Sequence, residues 1–147
     1  MKLKQISVFI ENAPGRLYEV TSALGEAGIN LRALNLVDTG DFGKLRLLVS
    51  DIATTRRIMM ERQIPARVDE VVAAVIEDRP GALAALLKPL KDAGVNVVHM
   101  YAFIGVSADQ AVMIFRFSDI DKAIDILLKN GIRLLDAEAF GILESDS

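Results

Sequence analysis

The 147-residue chain contains no cysteine, which excludes disulfides, thiolate nucleophiles and thiolate metal sites together. Its one histidine, His99, leaves no cluster of imidazole ligands for zinc or copper. Positive charge is not in excess: the formal charge is −3 and the isoelectric point about 5.2, so the chain lacks the electrostatic footprint of a nucleic-acid binder. Long hydrophobic runs are missing too. None exceeds six residues; "VVAAVI" from Val71 to Ile76 suits a buried strand and is far too short to cross a bilayer. The N-terminal "MKLKQISVFIENAPG" does not read as a signal peptide. A soluble, cytoplasmic protein is expected.

What the chain does have is apolar content, at 52% with mean hydropathy +0.34. Small domains bury a smaller fraction of their surface than large ones, so this surplus asks for domain-on-domain or subunit contacts. The chain also repeats itself. "ENAPGRLYEVTSALGEAGIN", from Glu11, returns at an offset of 66 as "EDRPGALAALLKPLKDAGVN", from Glu77. Beyond the second strand the offset becomes 68, pairing the "SDI" at Ser50 with that at Ser118, Ile58 with Ile126 and Ile64 with Ile132. The extra two residues fit a hairpin loop, where insertions cost least.

Each copy reads as strand, helix, strand, strand, helix, strand. In the first, Leu17, Val20, Thr21 and Leu24 mark one helical face, with Pro14 expected at the first helical turn and Gly28 as a left-handed cap. "INLRALNLV" and "KLRLLVS" flank the turn-like "DTGDFG" as a hairpin, "DIATTRRIMMERQ" forms the second helix and "IPARVDE" leads into a fourth strand. The second copy repeats the plan, ending with "IRLLDAEAFGIL" as its last strand; Asp119 or Ser118 caps its second helix, and Pro89 should bend its first without breaking it. The predicted fold class is α+β: two tandem ferredoxin-like βαββαβ domains, residues 1–69 and 70–147, each an antiparallel sheet with its helices on one face. No Gly/Ser-rich spacer separates them.

"NAPGRL…AGIN" and "DRPGAL…AGVN" together resemble the ACT domain, a small ligand-binding regulatory module, and the likeness covers nearly the whole chain. It is greatest to stand-alone tandem ACT proteins. The resemblance implies a non-catalytic regulatory protein that binds an amino acid or related small metabolite between paired modules, acts allosterically and forms a homodimer. It implies no cofactor. One site would comprise Asn12, Ala13, Pro14, Gly15, Arg16 and Leu17. The other would comprise Asp78, Arg79, Pro80, Gly81, Ala82 and Leu83. Asn30 and Asn96 would face across from a neighbouring module. Ile10 and Ile76 stand where some serine-sensing members carry histidine, which argues against a serine-like ligand.

The physical logic is independent of the family. An abrupt strand-to-helix turn leaves the first helical N–H groups unpaired, and with the helix dipole it suits a carboxylate. Asn12 can donate or accept, whereas an ionised Asp78 only accepts, so the two sites are expected to be unequal. An alternative reading is an interaction module without a small ligand, docking on a metabolic enzyme. His99 and Tyr101 share a strand face, and Phe115 and Phe117 share another; the pattern favours packing over stacking on RNA, because the first copy has "LRLLV" there. No carboxylate pair or nucleophile–base arrangement suggests catalysis.

Overall fold

The computed structural model describes residues 1–107 and 109–142, with the side chains of 103–107 outside that description. The chain divides into two compact units, one formed by Lys4–Asp69 with the segment from Ala137, the other by Glu70–Asp136 with Met1–Leu3. Each copy of the repeat thus supplies the body of one unit, while the short termini group with the opposite copy. In the unit built on Glu70–Asp136, the Lys2 amine lies 2.9 Å from the Asp121 carboxylate. In the other, the Arg32 guanidinium approaches Gly141.

In the first unit, β1 (Leu3–Glu11), α1 (Arg16–Glu26), β2 (Leu31–Asp38), β3 (Phe42–Val49) and α2 (Ile52–Glu61) follow in order. The sheet order is β2-β3-β1 with the opening residues of β4 (Ala66–Glu77) beside β1. Antiparallel register sets Ile6 opposite Leu47 and Leu34 opposite Leu47 in turn, so Leu47 lies at the sheet's centre. Ile6, Val8 and Ile10 alternate along β1 onto the helix face, packing with Val20, Leu24 and Met59. Gln5 and Ser7 take the opposite face and are fully buried as well.

The second unit repeats this order with α3 (Ala82–Asp92), β5 (Val97–Ser107), β6 (Gln110–Phe117), α4 (Ile120–Lys129) and β7 (Arg133–Leu135), in sheet order β7-β4-β6-β5. Phe115 and Phe117 stack at 5.1 Å within its core, so they pack, as expected, and present no platform. A single strand, β4, ends one repeat and begins the next, which is why no spacer is found. The α+β tandem architecture follows the sequence closely, with one difference at the end of the second unit. β7 is only three residues long, and a 3-10 turn (Glu138–Phe140) replaces the longer last strand expected from "IRLLDAEAFGIL", whose final residue lies outside the described residues. Pro89 does not break α3, as expected. Residue 108, between β5 and β6 in the sequence, lies outside the described residues.

Pro14 and Pro80 do not open the helices. The Arg16 N–H donates to Ala13 at 3.3 Å and Gly15 has φ 87 and ψ −13, which makes Ala13–Arg16 a type II turn with proline second and glycine third. Arg79–Ala82 repeats it. The repeated "SDI" also has a local cause. The backbone of Asn30 exchanges hydrogen bonds with Ser50, its N–H donating to Ser50 Oγ at 2.8 Å and its carbonyl accepting from the Ser50 N–H at 2.9 Å. Asn96 and Ser118 do the same. Asp51 then caps α2 by accepting from the Thr54 N–H at 3.1 Å, and Asp119 caps α4 from Lys122.

The Thr54 hydroxyl and N–H bonded to Asp51 hold its carboxyl below its ordinary value of 3.8. A carboxylate depressed in this way contributes stability above its unfolded pKa and loses it as pH falls through the lower folded value. Asp51→Ala should cost about 1 kcal/mol at neutral pH. Urea melts should show that deficit narrowing as pH falls below about 4, as wild type loses the same interaction.

Candidate functional site

The two halves of the motif part company at the helix ends. α2 and α4 have aspartate caps, but α1 and α3 have none: Gly15 and Gly81 occupy the cap positions and no side chain bonds to either first turn. Among the described residues, the N–H groups of Leu17 and Tyr18, and of Leu83 and Ala84, meet no acceptor. Gly15 and Gly81 have φ near +87 and +84, where glycine alone is unstrained, and a Cβ on either would meet nothing within 4 Å. The glycines are there for the backbone bend, and the space beyond them is open.

The neighbouring side chains differ between the copies. The Asn12 amide donates to Asp38 at 3.2 Å and to the Gly40 carbonyl at 3.3 Å, tying the turn to the tip of the β2–β3 hairpin. Asp78 makes no side-chain hydrogen bond among the described residues. Arg16 is held between Glu11 and Glu19, at 3.3 and 3.0 Å, and those carboxylates keep its guanidinium charged more firmly than usual. Arg79 pairs with Glu77. Ala13 and Pro14 are exposed, Leu17 is 38% exposed, and Ala82 is buried.

Asn30 and Asn96 lie at the far end of the helices from these turns, because α1 and α3 intervene, each 11 residues long and therefore about 16 Å. Within one unit the turn and the asparagine are not brought together, so the two could share a site only across modules. Their side chains are exposed while their backbones are occupied by Ser50 and Ser118. His99 and Tyr101 stack at 6.5 Å on β5, away from the turns in sequence and strand order.

A cleft of about 520 Å³ lies beside α1 in the first unit, floored by Ile10, Val20 and Ile64 and rimmed by Arg16, Arg62 and Gln63. The second unit has a cleft of about 350 Å³ at the corresponding place, beside Ile76, Leu86 and Ile132. Of the turn residues expected from sequence, only Arg16 lines the first cleft, and Arg79 and Ala82 the second. Gln63 was not singled out by the sequence, although the offset of 68 sets it against Gly131.

A family profile described as the ACT domain pair matches residues 1–143. The chain is a member of the ACT domain pair family. Comparison with curated proteins returns no match. Among solved structures, protein BT0572 from Bacteroides thetaiotaomicron is 36% identical, with 97% of this chain and 98% of that one covered and a TM-score of 0.90. The regulatory subunits of aspartate kinase from Thermus thermophilus, in a ligand-free form, and from Thermus flavus share the ACT fold at 15% and 17% identity. Their TM-scores are 0.61 and 0.62. The first alignment covers 86% of this chain and 91% of its relative; the second covers 85% and 88%. The ACT pair is a family of regulatory domains. No helix among the described residues is long and apolar enough to cross a membrane, and no cluster of metal-ligating side chains occurs among them.

The backbone argument at the turns gives a paired expectation. Gly15→Ala should destabilise by about 1–2 kcal/mol through strain alone, since nothing crowds the new methyl. Gly25→Ala, inside α1 with no positive φ, should stabilise by about 0.5–1 kcal/mol. Urea unfolding of the two variants should show these opposite signs.

Proposed function

We propose that this ACT pair is a non-catalytic, cytoplasmic regulatory protein that binds an amino acid at the strand-to-helix turns, where they meet a neighbouring module or subunit. One observation carries the reading: two helices of the chain have aspartate caps, while the two that follow the Pro-Gly turns leave their first N–H groups free and unobstructed. Free N–H groups at the positive end of a helix dipole suit a carboxylate. The unpaired Asp78 supplies an acceptor for an ammonium group at the second turn. Asn12, engaged by the hairpin, is less free to do so at the first. The sites are therefore unequal, with the second the better fitted to a zwitterion.

Regulation would operate through association. Leu34 and Leu36, 53% and 49% exposed, lie on the unpaired edge strand β2, and an apolar free edge favours a partner strand. A ligand held between modules stabilises whichever arrangement buries it, shifting the population of that arrangement. Regulatory subunits of aspartate kinase share this fold, which supports a regulatory role in kind. The same exposed edge also fits the second reading, a ligand-free module docking on a metabolic enzyme.

Thermal-shift screening against the standard amino acids decides between them. A ligand at 100 times its Kd stabilises by about 2.7 kcal/mol, or several degrees for a chain of this size. The shift should be confined to one or two amino acids and should be reduced more by Gly81→Val than by Gly15→Val, each against its own ligand-free baseline. A flat panel would reject the sensor and favour the docking module.

A further inference from the structure

All four helices end in the same device, a paired set of reverse hydrogen bonds around a left-handed residue. In α1, Ile29 N–H donates to Leu24 and Gly28 N–H to Gly25; α3 and α4 repeat this around Gly94 and Gly131. α2 does so around Gln63, whose N–H donates to Met60 while that of Ile64 donates to Met59. Gln63 has φ 57, and among the described residues it is the only non-glycine with positive φ. The fold asks for a left-handed residue here and takes glycine at the other three helix ends. A side chain in this conformation costs stability, and such strain tends to persist where the side chain has a task.

Gln63 lines the cleft beside α1, next to Arg62. The Arg16 guanidinium, which also lines the cleft, is already matched by Glu11 and Glu19. Arg62 makes no ion pair or side-chain hydrogen bond among the described residues, so in a lining of two carboxylates and two guanidiniums it is the charged group left without a partner. Ile10, Val20 and Ile64 form an aliphatic part of the lining, completed by Phe9, Phe42 and Pro65. In the second unit, Asn130 and Gly131 replace Arg62 and Gln63.

We propose that the first cleft is a second ligand site, contained within one unit, for a small aliphatic α-keto or α-hydroxy acid. The Arg62 fork takes the carboxylate. The Gln63 amide, both donor and acceptor, takes the adjacent keto or hydroxyl oxygen, and the aliphatic chain covers the floor. An ammonium at that carbon would face a guanidinium whose neighbouring carboxylates are occupied, so the amine-free acid is preferred. Arg16 closes the first Pro-Gly turn and lines this cleft, but the ligand contacts proposed here are Arg62, Gln63 and the apolar floor within one unit, so the site stands or falls apart from the amino-acid reading.

Calorimetric titration with α-ketoisocaproate and with leucine, which differ only in keto against amino, provides the test. The keto acid should bind wild type and bind about tenfold more weakly to Arg62→Ala and to Gln63→Gly. Gln63→Gly should nonetheless melt about 2–4 °C higher than wild type, a combination that a merely structural role for the side chain would not give. The proposal is overturned by no keto-acid binding at millimolar concentration, by unchanged affinity in both variants, or by leucine binding as tightly as the keto acid and weakened by the same substitutions. Keto-acid binding that survives Arg62→Ala but falls in Gly15→Ala would put the ligand at the turn, overturning this site while leaving the amino-acid reading intact.

Discussion

The junctions from β1 into α1 and from β4 into α3 turn on a bend that glycine alone enters freely. The left-handed residue at Gly15 and Gly81 closes the Pro-Gly turn, sets the direction in which the helix departs, and occupies the position where a capping side chain would otherwise stand. With no side chain at that point, the first helical N–H groups have neither partner nor cover. The rest of each unit holds this bend in place: the hairpin behind it through Asn12 in the first copy, and the core beneath it through Val20 or Leu86.

Much of this was legible in the sequence because its causes are local. Apolar alternation in "QISVFIE", the helical spacing from Leu17 to Leu24, and the glycines after three helices each specify an element without reference to anything distant. The duplication made those readings mutually supporting. Pro14 was misplaced because proline suits both the first helical turn and the second position of a type II turn, and only the left-handed glycine behind it separates the two. The last strand was overread because "LLDAEAF" has strand-like apolar residues, yet only Arg133–Leu135 pair with β4.

The candidate site was legible as a location and less so as chemistry. Sequence spacing placed the turns, but it could not reveal that Asn12 is committed to Asp38 and Gly40 while Asp78 is not, since those contacts span 26 and 28 residues. Nor does periodicity show that Asn30 and Asn96 are tied through their backbones to Ser50 and Ser118, which explains two widely separated words of the repeat by one interaction. Gln63 escaped notice because glutamine is ordinary at a helix end. It becomes informative only when its φ is known and the other three ends are compared.

The junction between the repeats falls inside β4, at the middle of an extended strand. Side chains there alternate strictly, so one residue gained or lost at the seam would turn every subsequent side chain to the wrong face. Evolution could lengthen the chain freely at hairpin tips but hardly at all here. The two-residue gain between the copies falls in the second repeat's hairpin, where β5 runs 11 residues against 8 in β2, as that asymmetry requires. A fused strand thus acts as a ruler: it fixes the phase between two drifting copies and confines their divergence in length to their periphery.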